Sequence, residues 1–414
     1  MKITKLLFGI FALQLLGTSA ILAQNGTMTP YSRYGYGILS DNATAAQRAM
    51  GGVGYAMNSG RQINVMNPAS YAAVDSMTFL FDMGVDFTSL WQKETSDGAT
   101  LKDQKNGGGL DYITMQFPIG KRMGMSVGVL PYSSVGYAFG SEIAHGATSR
   151  QGSGSINELY VGVAGKVFKG FTVGVNVAYL FGTTYNDSYA YTSSGSTTLF
   201  EREFEVRDWR MDIGVQYSFL LNPKNRFSLG LTYSPKKDFN GHAITYAYDM
   251  NQEAEPVETE NLKLRGNYTM AETWGAGISW EWDKRLYLEG DFTYQPWSKA
   301  KYQGTEGQLL NRYKLAGGLQ FTPKPRGNYF ERVQYRAGAF ANRDYLRVLG
   351  NSVREFGASI GFGLPTPVTK TIVSIGLEWR HRQAHPNPLI KENYLCVTLG
   401  LNINELWFRP SRIY

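Results

Sequence analysis

Long runs of period-two alternation constrain this 414-residue chain more than any other feature of its sequence. Over residues 171–181 every odd position is apolar or aromatic, and the positions between are mostly small or polar. Successive side chains of a β-strand point to opposite faces of a sheet, so such a segment has one apolar and one polar face. The same pattern recurs in four further segments: 211–219, 227–233, 373–379 and 395–403.

Segment length and the placement of aromatic residues separate two all-β architectures. A soluble sandwich also hides one apolar face, but its strands are typically about 5–6 residues long. A transmembrane barrel needs segments of about 9–11 residues that are apolar outward and polar toward the lumen. Its aromatic residues gather near segment ends, as Trp280, Trp379 and Tyr394 do. We therefore predict an all-β fold, a closed transmembrane antiparallel β-barrel.

The number of alternating segments supports the same architecture. We count about 14 between residues 76 and 403, and even strand numbers are typical of bacterial single-chain barrels. Two of them, 225–249 and 262–282, are predicted as uninterrupted strands, and a third, 109–119, is short. Tight turns such as 222–225 alternate with longer polar connections, as expected for periplasmic turns and extracellular loops. The barrel is predicted to occupy residues 76–414.

Composition excludes several other classes of protein. Charged residues make up 18 % of the chain, below the roughly 25 % of an average soluble protein. The mean hydropathy of −0.28 is too high for a disordered chain. Cys396 stands alone, which excludes a disulfide scaffold. The net charge of +7 is small and dispersed, so we predict no nucleic-acid partner.

The N-terminus predicts export from the cytoplasm. Lys2 and Lys5 precede an apolar run that ends in small residues up to Ala23. This is the pattern of a secretory signal peptide over residues 1–23, cleaved after Ala23 or, alternatively, after Ala20. A membrane anchor would need a longer apolar core. Together with the barrel, the signal peptide predicts a location in the cell outer membrane.

Residues 24–75 do not alternate and are rich in Gly and Ala. A short helix is predicted within 43–57, and the glycines of 51–54 predict a closely packed turn. A 14-strand barrel leaves a lumen too wide for wall side chains to fill. We therefore expect residues 24–75 to plug the lumen.

Two motifs in that segment carry a resemblance to a known family. They are Arg48-Ala49-Met50-Gly51-Gly52-Val53-Gly54 and Asn67-Pro68-Ala69-Ser70. Together they resemble the hatch signature of the FadL/TodX family of outer-membrane channels for hydrophobic compounds, in a Bacteroidota-type member. The resemblance implies a hatch built on Gly51, Gly52, Gly54, Asn67, Pro68 and Ala69. It also implies passive uptake of hydrophobic compounds such as long-chain fatty acids.

A proline interrupts the third predicted strand, 121–140. Pro131 cannot donate to a β-ladder, so it predicts a bulge or kink there. FadL-like channels resemble one another in a kinked third strand that opens the wall sideways, which makes Pro131, Tyr132 and Ser133 a candidate lateral gate. The alternative is a strand that simply passes into an extracellular segment. Unbroken pairing with both neighbours through Ser134 would exclude the gate.

Charged residues on the polar strand faces predict a hydrogen-bonded network that holds the hatch. An unpaired buried charge is costly, so these residues are expected to pair with one another. They are Glu289, Asp291, Arg336, Glu355, Glu378 and Arg380. The four histidines lie in loops or strand tips, and no catalytic spacing stands out. We predict no enzyme activity, no metal and no cofactor.

Two functions follow from these predictions. The first is a passive channel, whose partners are a hydrophobic small molecule and outer-membrane lipids. The second is a non-transporting subunit or adaptor of an outer-membrane secretion or barrel-assembly complex, since some members of the family resemble such subunits. A continuous apolar path to a wall opening would favour the channel. A packed hatch without a path, beside an exposed flank that matches a partner, would favour the subunit.

Overall fold

A sheet of 14 antiparallel strands closes into a barrel because its first and last strands pair along their whole length, from Thr78 with Leu406 to Glu94 with Ile390. The structure, a computed structural model, describes residues 28–96, 99–143, 145–251, 255–366 and 370–406. In chain order the strands are β1 (Thr78–Ser96), β2 (Ala99–Pro118), β3 (Met123–Ser134 and Tyr137–Ile143), β4 (Gly146–Phe168), β5 (Phe171–Thr192), β6 (Thr197–Asn222), β7 (Asn225–Ser234 and Gly241–Asp249), β8 (Glu258–Lys263 and Thr273–Trp282), β9 (Leu286–Gln295), β10 (Arg312–Phe321), β11 (Gln334–Val348), β12 (Asn351–Pro365), β13 (Ile372–His385) and β14 (Ile390–Leu406).

The predicted all-β barrel of 14 strands is confirmed, but the strands are less regular than predicted. β7 is broken at 235–240 and β8 at 264–272, where 225–249 and 262–282 were expected to be continuous. Each break places one aromatic side chain inside the barrel: Phe239 in β7 and Tyr268 in β8, both fully buried. β2 begins ten residues before the predicted 109–119, because its polar, Gly-rich first half pairs with β1 without alternating.

The wall has an apolar outer surface bounded by aromatic residues. On β12, Phe356, Ile360 and Phe362 are about half exposed, while Glu355 and Ser359, at alternate positions, point inward and are buried. Aromatic pairs lie toward both ends of the wall, among them Phe219–Phe227 at 5.8 Å and Tyr179–Trp209 at 4.9 Å. Such girdles flank the apolar band of a transmembrane barrel.

The two ends of the barrel differ. Six connections, at 119–122, 169–170, 223–224, 283–285, 322–333 and 366–371, lie at the end where β1 begins and β14 ends; we call this the turn end. The opposite, loop end is uneven in height. β6 has 26 residues, whereas β9 and β10 have 10 each, so the wall stands taller on the β4–β6 side.

Residues 28–75, here called the luminal segment, lie inside the barrel. Their hydrogen bonds reach β2, β6, β9 and β12, which stand on different sides of the wall. The segment has little regular structure: the two-residue strand Ile38–Leu39, helix α1 (Ala45–Arg48) and 3₁₀ helices at Pro30–Arg33 and Pro68–Ala73. The signal peptide predicted over residues 1–23 lies outside the described residues.

Helices are few and short elsewhere too. Helix α2 (Tyr329–Arg332) lies in a turn-end connection, and a 3₁₀ helix, Trp297–Lys299, lies in a loop. Within the described ranges, none of the helices is both long enough and apolar enough to cross a bilayer.

Glycines on the inner face of the wall let the luminal segment approach the wall backbone. Gly318 on β10 and Gly338 on β11 are paired, and both face Met50. A Cβ atom at Gly338 would lie 2.1 Å from the Met50 carbonyl carbon and 2.2 Å from the Gly51 nitrogen. Gly317, the neighbour of Gly318, faces outward, and a Cβ atom there would meet nothing within 4 Å.

We predict that Gly338→Ala destabilises the barrel by about 1–3 kcal/mol, the usual cost of overpacking, because its methyl group would collide with the luminal backbone. The free energy of unfolding in guanidinium, measured in detergent, tests this. Gly317→Ala on the adjoining strand is the matched control and should change stability little. Equal effects of the two substitutions would contradict the close packing of the luminal segment.

Candidate functional site

The Gly-rich turn of the luminal segment is folded by local hydrogen bonds and left-handed glycines. Gln47 at the end of α1 accepts a hydrogen bond from the Thr44 N–H and donates one to Asn64, at 2.9 Å each. Gly51 and Gly52 have φ of 76° and 77°, a conformation that favours glycine. They end the helix after four residues, which is why it fills only part of the predicted 43–57. The Gly51 N–H then donates to the Ser359 hydroxyl on β12 at 2.9 Å.

Two buried carboxylates on β9 hold the next residues of this turn. Asp291 accepts hydrogen bonds from the N–H groups of Gly54 and Tyr55, at 2.7 and 3.0 Å. Glu289 accepts one from the Ala56 N–H at 2.7 Å and one from the Tyr287 hydroxyl at 2.6 Å. Both carboxylates are at least 95 % buried. Three consecutive backbone donors of the luminal segment are therefore bonded to one strand of the wall.

The Asn67-Pro68-Ala69 element is anchored on a different part of the wall, at β6. Asn67 caps the 3₁₀ helix Pro68–Ala73 by accepting from the Ala69 N–H at 3.1 Å. Its amide donates to the carbonyls of Tyr55 at 2.7 Å and of Val215 on β6 at 3.3 Å. The capping residue thus joins the two predicted hatch motifs to each other and to the wall.

A third anchor involves Asp41, which the sequence analysis did not single out. Its two carboxylate oxygens lie 2.6 Å from Arg312 and 2.7 Å from Lys314, both on the inner face of β10. Burial raises the pKa of Asp41, but the charges of Lys314 and Arg312 outweigh it and hold the pKa well below its ordinary value of 3.8. Arg312 and Lys314 are nearly buried, so Asp41 supplies their neutralising charge.

The six predicted wall charges do not form a single network. Glu355, Glu378 and Arg380 do lie together, with Arg380 2.8 Å from Glu378 and 3.7 Å from Glu355. Arg382, which was not predicted, also pairs with Glu355 at 3.1 Å. Glu289 and Asp291 stand apart from these three residues, and both accept hydrogen bonds from backbone N–H groups of the luminal segment rather than from cations.

Arg336 is the sixth of these wall charges, and it bonds to neutral groups. It donates to Gln320 and Ser374 at 2.9 Å each. The predicted mutual pairing therefore occurs for only three of the six residues: Glu355, Glu378 and Arg380.

The wall is interrupted between β2 and β3. Pairing of these strands ends at Ile113 with Val129, before Pro131 is reached. On its other side β3 stays paired with β4 through Ser134, with a register shift between Pro131 and Ser133. Above Ile113, β2 pairs only with β1 among the described residues. Pairing is thus broken on one side of β3.

The luminal segment covers part of the exposed edge of β3. Ile38 and Leu39 pair with Ser134 and Ser133 on that edge. The carbonyl of Tyr132 accepts from the Ser40 N–H at 2.9 Å. All three predicted gate residues therefore lie at the interruption, with Tyr132 and Ser133 bound to the luminal segment.

A cluster of buried aromatic residues fills part of the lumen toward the loop end. Its members come from the luminal segment, the breaks of β7 and β8, and three other elements: Tyr36, Phe204, Phe239, Tyr268, Trp297 and Tyr345. Ring centroids lie 5.0 Å apart for Tyr36–Phe239 and 4.8 Å apart for Trp297–Tyr345. The Tyr345 hydroxyl also bonds to the backbone of Tyr36 and Gly37, at 2.9 and 2.5 Å.

The cavities left inside the barrel are small and carry charged walls. Two, of about 90 and 110 Å³, lie on either side of Asp41. A third, of about 410 Å³, lies behind the wall interruption, where Leu39 and Leu110 share the lining with Arg48 and Asp111. A fourth, of about 470 Å³, lies toward the loop end beside Phe200 and Tyr302, and it shares no lining residue with the third. Leu39 and Ser40 line the first three cavities, and charged residues line all four.

Sequence reasoning missed several residues of this site for identifiable reasons. Arg312 and Lys314 occupy alternate positions of β10, so their charges on the inner face were readable from the pattern. Arg210 and Asp212 likewise occupy alternate positions on the inner face of β6, and they form an ion pair at 2.8 Å. Asp41 carries no such signal, because it lies in a segment without periodicity.

Comparison with known proteins identifies one family and one fold. A family model described as BamG matches residues 3–414. Among solved structures, the CymD monoaromatic hydrocarbon channel is 15 % identical, with a TM-score of 0.61 over 89 % of this chain and 98 % of that one. The toluene transporter TodX of Pseudomonas putida is 13 % identical, with a TM-score of 0.62 over 89 % and 100 %.

A Pseudomonas aeruginosa FadL homologue gives similar values, 13 % identity and a TM-score of 0.58 over 88 % of this chain and 99 % of that one. At such identities the likeness concerns the fold, and the predicted resemblance to the FadL/TodX family is confirmed at that level. No curated protein matches the chain.

We predict that Asp291→Ala loosens the luminal segment, because it leaves two buried N–H groups without an acceptor at a cost of about 1–3 kcal/mol each. The free energy of unfolding should fall, and limited proteolysis should cut within the luminal segment faster than in the parent protein. Asp291→Asn keeps one acceptor and should have a smaller effect. Asp103→Ala, on an exposed part of β2, is the control and should leave both readouts unchanged.

We also predict that Asp41→Asn destabilises the barrel at neutral pH by roughly 2 kcal/mol. Removing one partner of a fully buried ion pair costs about 3–5 kcal/mol. The cost is smaller here because the Asp41 side chain is 37 % exposed to a cavity. Since the folded-state pKa is lowered, the advantage of the parent protein is constant above about pH 5 and declines as the pH falls below about 4. Unfolding curves of both proteins between pH 3 and pH 7 test this. A difference that grows toward low pH would contradict it.

Proposed function

The chain belongs to the BamG family, and from that premise we propose that it is an outer-membrane barrel with a plugged lumen that serves as a subunit or adaptor of an outer-membrane assembly complex. In this proposal residues 1–23 are a cleaved signal peptide, residues 24–75 a hatch and residues 76–414 the barrel. The proposal takes up the second of the two functions predicted from the sequence, because membership of the BamG family favours it over the channel.

The charged lining of the lumen is the observation that carries this proposal. A channel for hydrophobic compounds needs an apolar route, and apolar surface gains nothing from contact with charged walls. Here carboxylates and cations line the inner cavities, and the aromatic cluster fills part of the lumen toward the loop end. The hatch is held by buried hydrogen bonds to several strands, so displacing it would leave those groups unpaired.

The tall side of the wall offers a surface suited to a partner protein. β5 and β6 continue toward the loop end beyond Tyr179 and Trp209, whose rings lie 4.9 Å apart. Cross-strand register places five tyrosines on one face of this extension, together with the carboxylates Glu201, Glu203 and Glu205. The tyrosines are Tyr185, Tyr189, Tyr191, Tyr246 and Tyr248. Exposed tyrosines are enriched in protein interfaces and among residues that dominate binding energy.

A second candidate, the passive channel, is favoured by one observation. The interruption at Pro131 leaves the third cavity behind an incompletely paired part of the wall. Movement of the luminal segment away from Ser133 and Ser134 would open that cavity sideways. The compounds that such a route could pass, long-chain fatty acids among them, would move between the lumen and the bilayer.

We predict that the chain, purified from its native membrane in mild detergent, brings down a stoichiometric protein partner and no bound hydrophobic compound. Mass spectrometry of both fractions measures this. Tyr189→Ser/Tyr191→Ser should reduce the recovered partner at least about tenfold, since interface tyrosines commonly contribute 2 kcal/mol or more. Tyr294→Ser/Tyr313→Ser changes an equivalent exposed pair on the low side of the wall and should retain the partner.

Liposomes carrying the purified chain separate the two functions. The subunit proposal expects uptake of a labelled fatty acid at the rate of empty liposomes. Faster uptake, combined with a bound apolar ligand and no partner, would overturn the proposal in favour of the channel.

A further inference from the structure

Every connection at the turn end presents an exposed cation. One such residue can be chosen from each of the six connections, and all six side chains are exposed: Lys121, Lys169, Lys224, Lys284, Arg326 and Lys370. Within the described ranges, none of the six has a carboxylate oxygen within the 4.0 Å of an ion pair. These cations, here called the basic ring, are therefore available to an external anion.

The connections at the loop end have no comparable set of cations. In the described parts of the loop-end connections, Lys and Arg occur only in 296–311, as Lys299 and Lys301, and the same loop carries Glu306. The other described loop positions contribute no cation. An exposed cation in every connection is thus a property of the turn end, whereas exposed cations toward the loop end lie on the strands.

The basic ring lies next to the aromatic girdle of the turn end. Lys169 stands between Phe168 and Phe171, whose rings stack at 4.8 Å. Lys284 follows the exposed Trp282 by two residues. Aromatic rings of a membrane protein lie at the level of the lipid headgroups, and long cationic side chains nearby extend into that layer. The basic ring is therefore placed among headgroups.

The longest turn-end connection, 322–333, also combines a cation with an exposed aromatic residue, and it contains helix α2. Asn328 and Glu331 form a capping box at α2, and Lys324 pairs with Glu331 at 2.7 Å. This fold displays Phe330, which is 76 % exposed, next to Arg326. An exposed aromatic residue beside a cation suits an interface between apolar chains and anionic headgroups.

We propose that the basic ring binds the headgroups of anionic phospholipids in the leaflet that faces the turn end. The six connections belong to strand pairs distributed around the whole barrel, so the charge forms an annulus, as a shell of lipid requires. A single docked protein would contact one side. Each cation near a membrane surface adds to the attraction for anionic lipid, and the attraction is confined to about a Debye length.

Native mass spectrometry of the full chain tests the proposal. After equilibration in detergent with an equal mixture of phosphatidylglycerol and phosphatidylethanolamine, the parent protein should retain phosphatidylglycerol in at least about fivefold excess, as expected for several cations acting together. The variant K121Q/K169Q/K224Q/K284Q/R326Q/K370Q should bind the two lipids equally. Raising the salt concentration before analysis should weaken the preference of the parent protein.

A matched control removes the same charge from other exposed positions. Lys93, Lys102, Lys263, Arg347, Arg354 and Lys391, all exposed and away from the turn end, are changed to Gln together. This control should keep the preference for phosphatidylglycerol. Resistance to unfolding in cold detergent, seen as a shift in gel mobility, verifies that both variants form barrels.

Three results would overturn the proposal. They are equal binding of both lipids by the parent protein, retention of the preference by the turn-end variant, and an equal loss in both variants. If an acidic protein from the native membrane instead co-purifies with the parent and is lost only in the turn-end variant, the basic ring serves a protein.

Discussion

The need to pair every backbone N–H and C=O group in a bilayer governs the rest of this structure. A sheet in hydrocarbon must close on itself, because an open edge would leave several polar groups without water. Closure with 14 strands produces a lumen that wall side chains cannot fill. The luminal segment fills that lumen. Its own backbone N–H and C=O groups then lie in the interior, and these must be paired as well.

The wall meets this demand with two kinds of inner residue. Glycines such as Gly338 let the luminal backbone lie directly against the strands. Carboxylates and hydroxyls then accept its N–H groups, as Asp291 and Ser359 do. The polar inner face that the alternation pattern predicted therefore serves as a binding surface for the chain's own N-terminal residues.

The wall departs from regular strand pairing at places where its residues contact the luminal segment or the aromatic cluster. The breaks of β7 and β8 carry Phe239 and Tyr268 into the buried cluster, and burial of two such rings offsets the lost ladder bonds. At Pro131 the ladder to β2 ends, and Ile38 and Leu39 supply part of the missing pairing. The bulge at this proline was predictable from the sequence. The pairing of residues 38–39 with β3 was not, because those residues have no strand pattern in the sequence.

By itself the sequence determined the barrel, its number of strands, the face that each alternating residue takes and the position of the Gly-rich and Asn-Pro-Ala motifs. Period-two alternation is a local signal that each strand carries on its own. Only the tertiary structure decided which wall residues hold those motifs, that Asp41 neutralises Arg312 and Lys314, and that charged residues line the cavities. Several of these contacts join residues more than 200 positions apart, such as Gly54 and Asp291, and no periodicity connects them. They depend on the order in which closure brings the strands around the lumen.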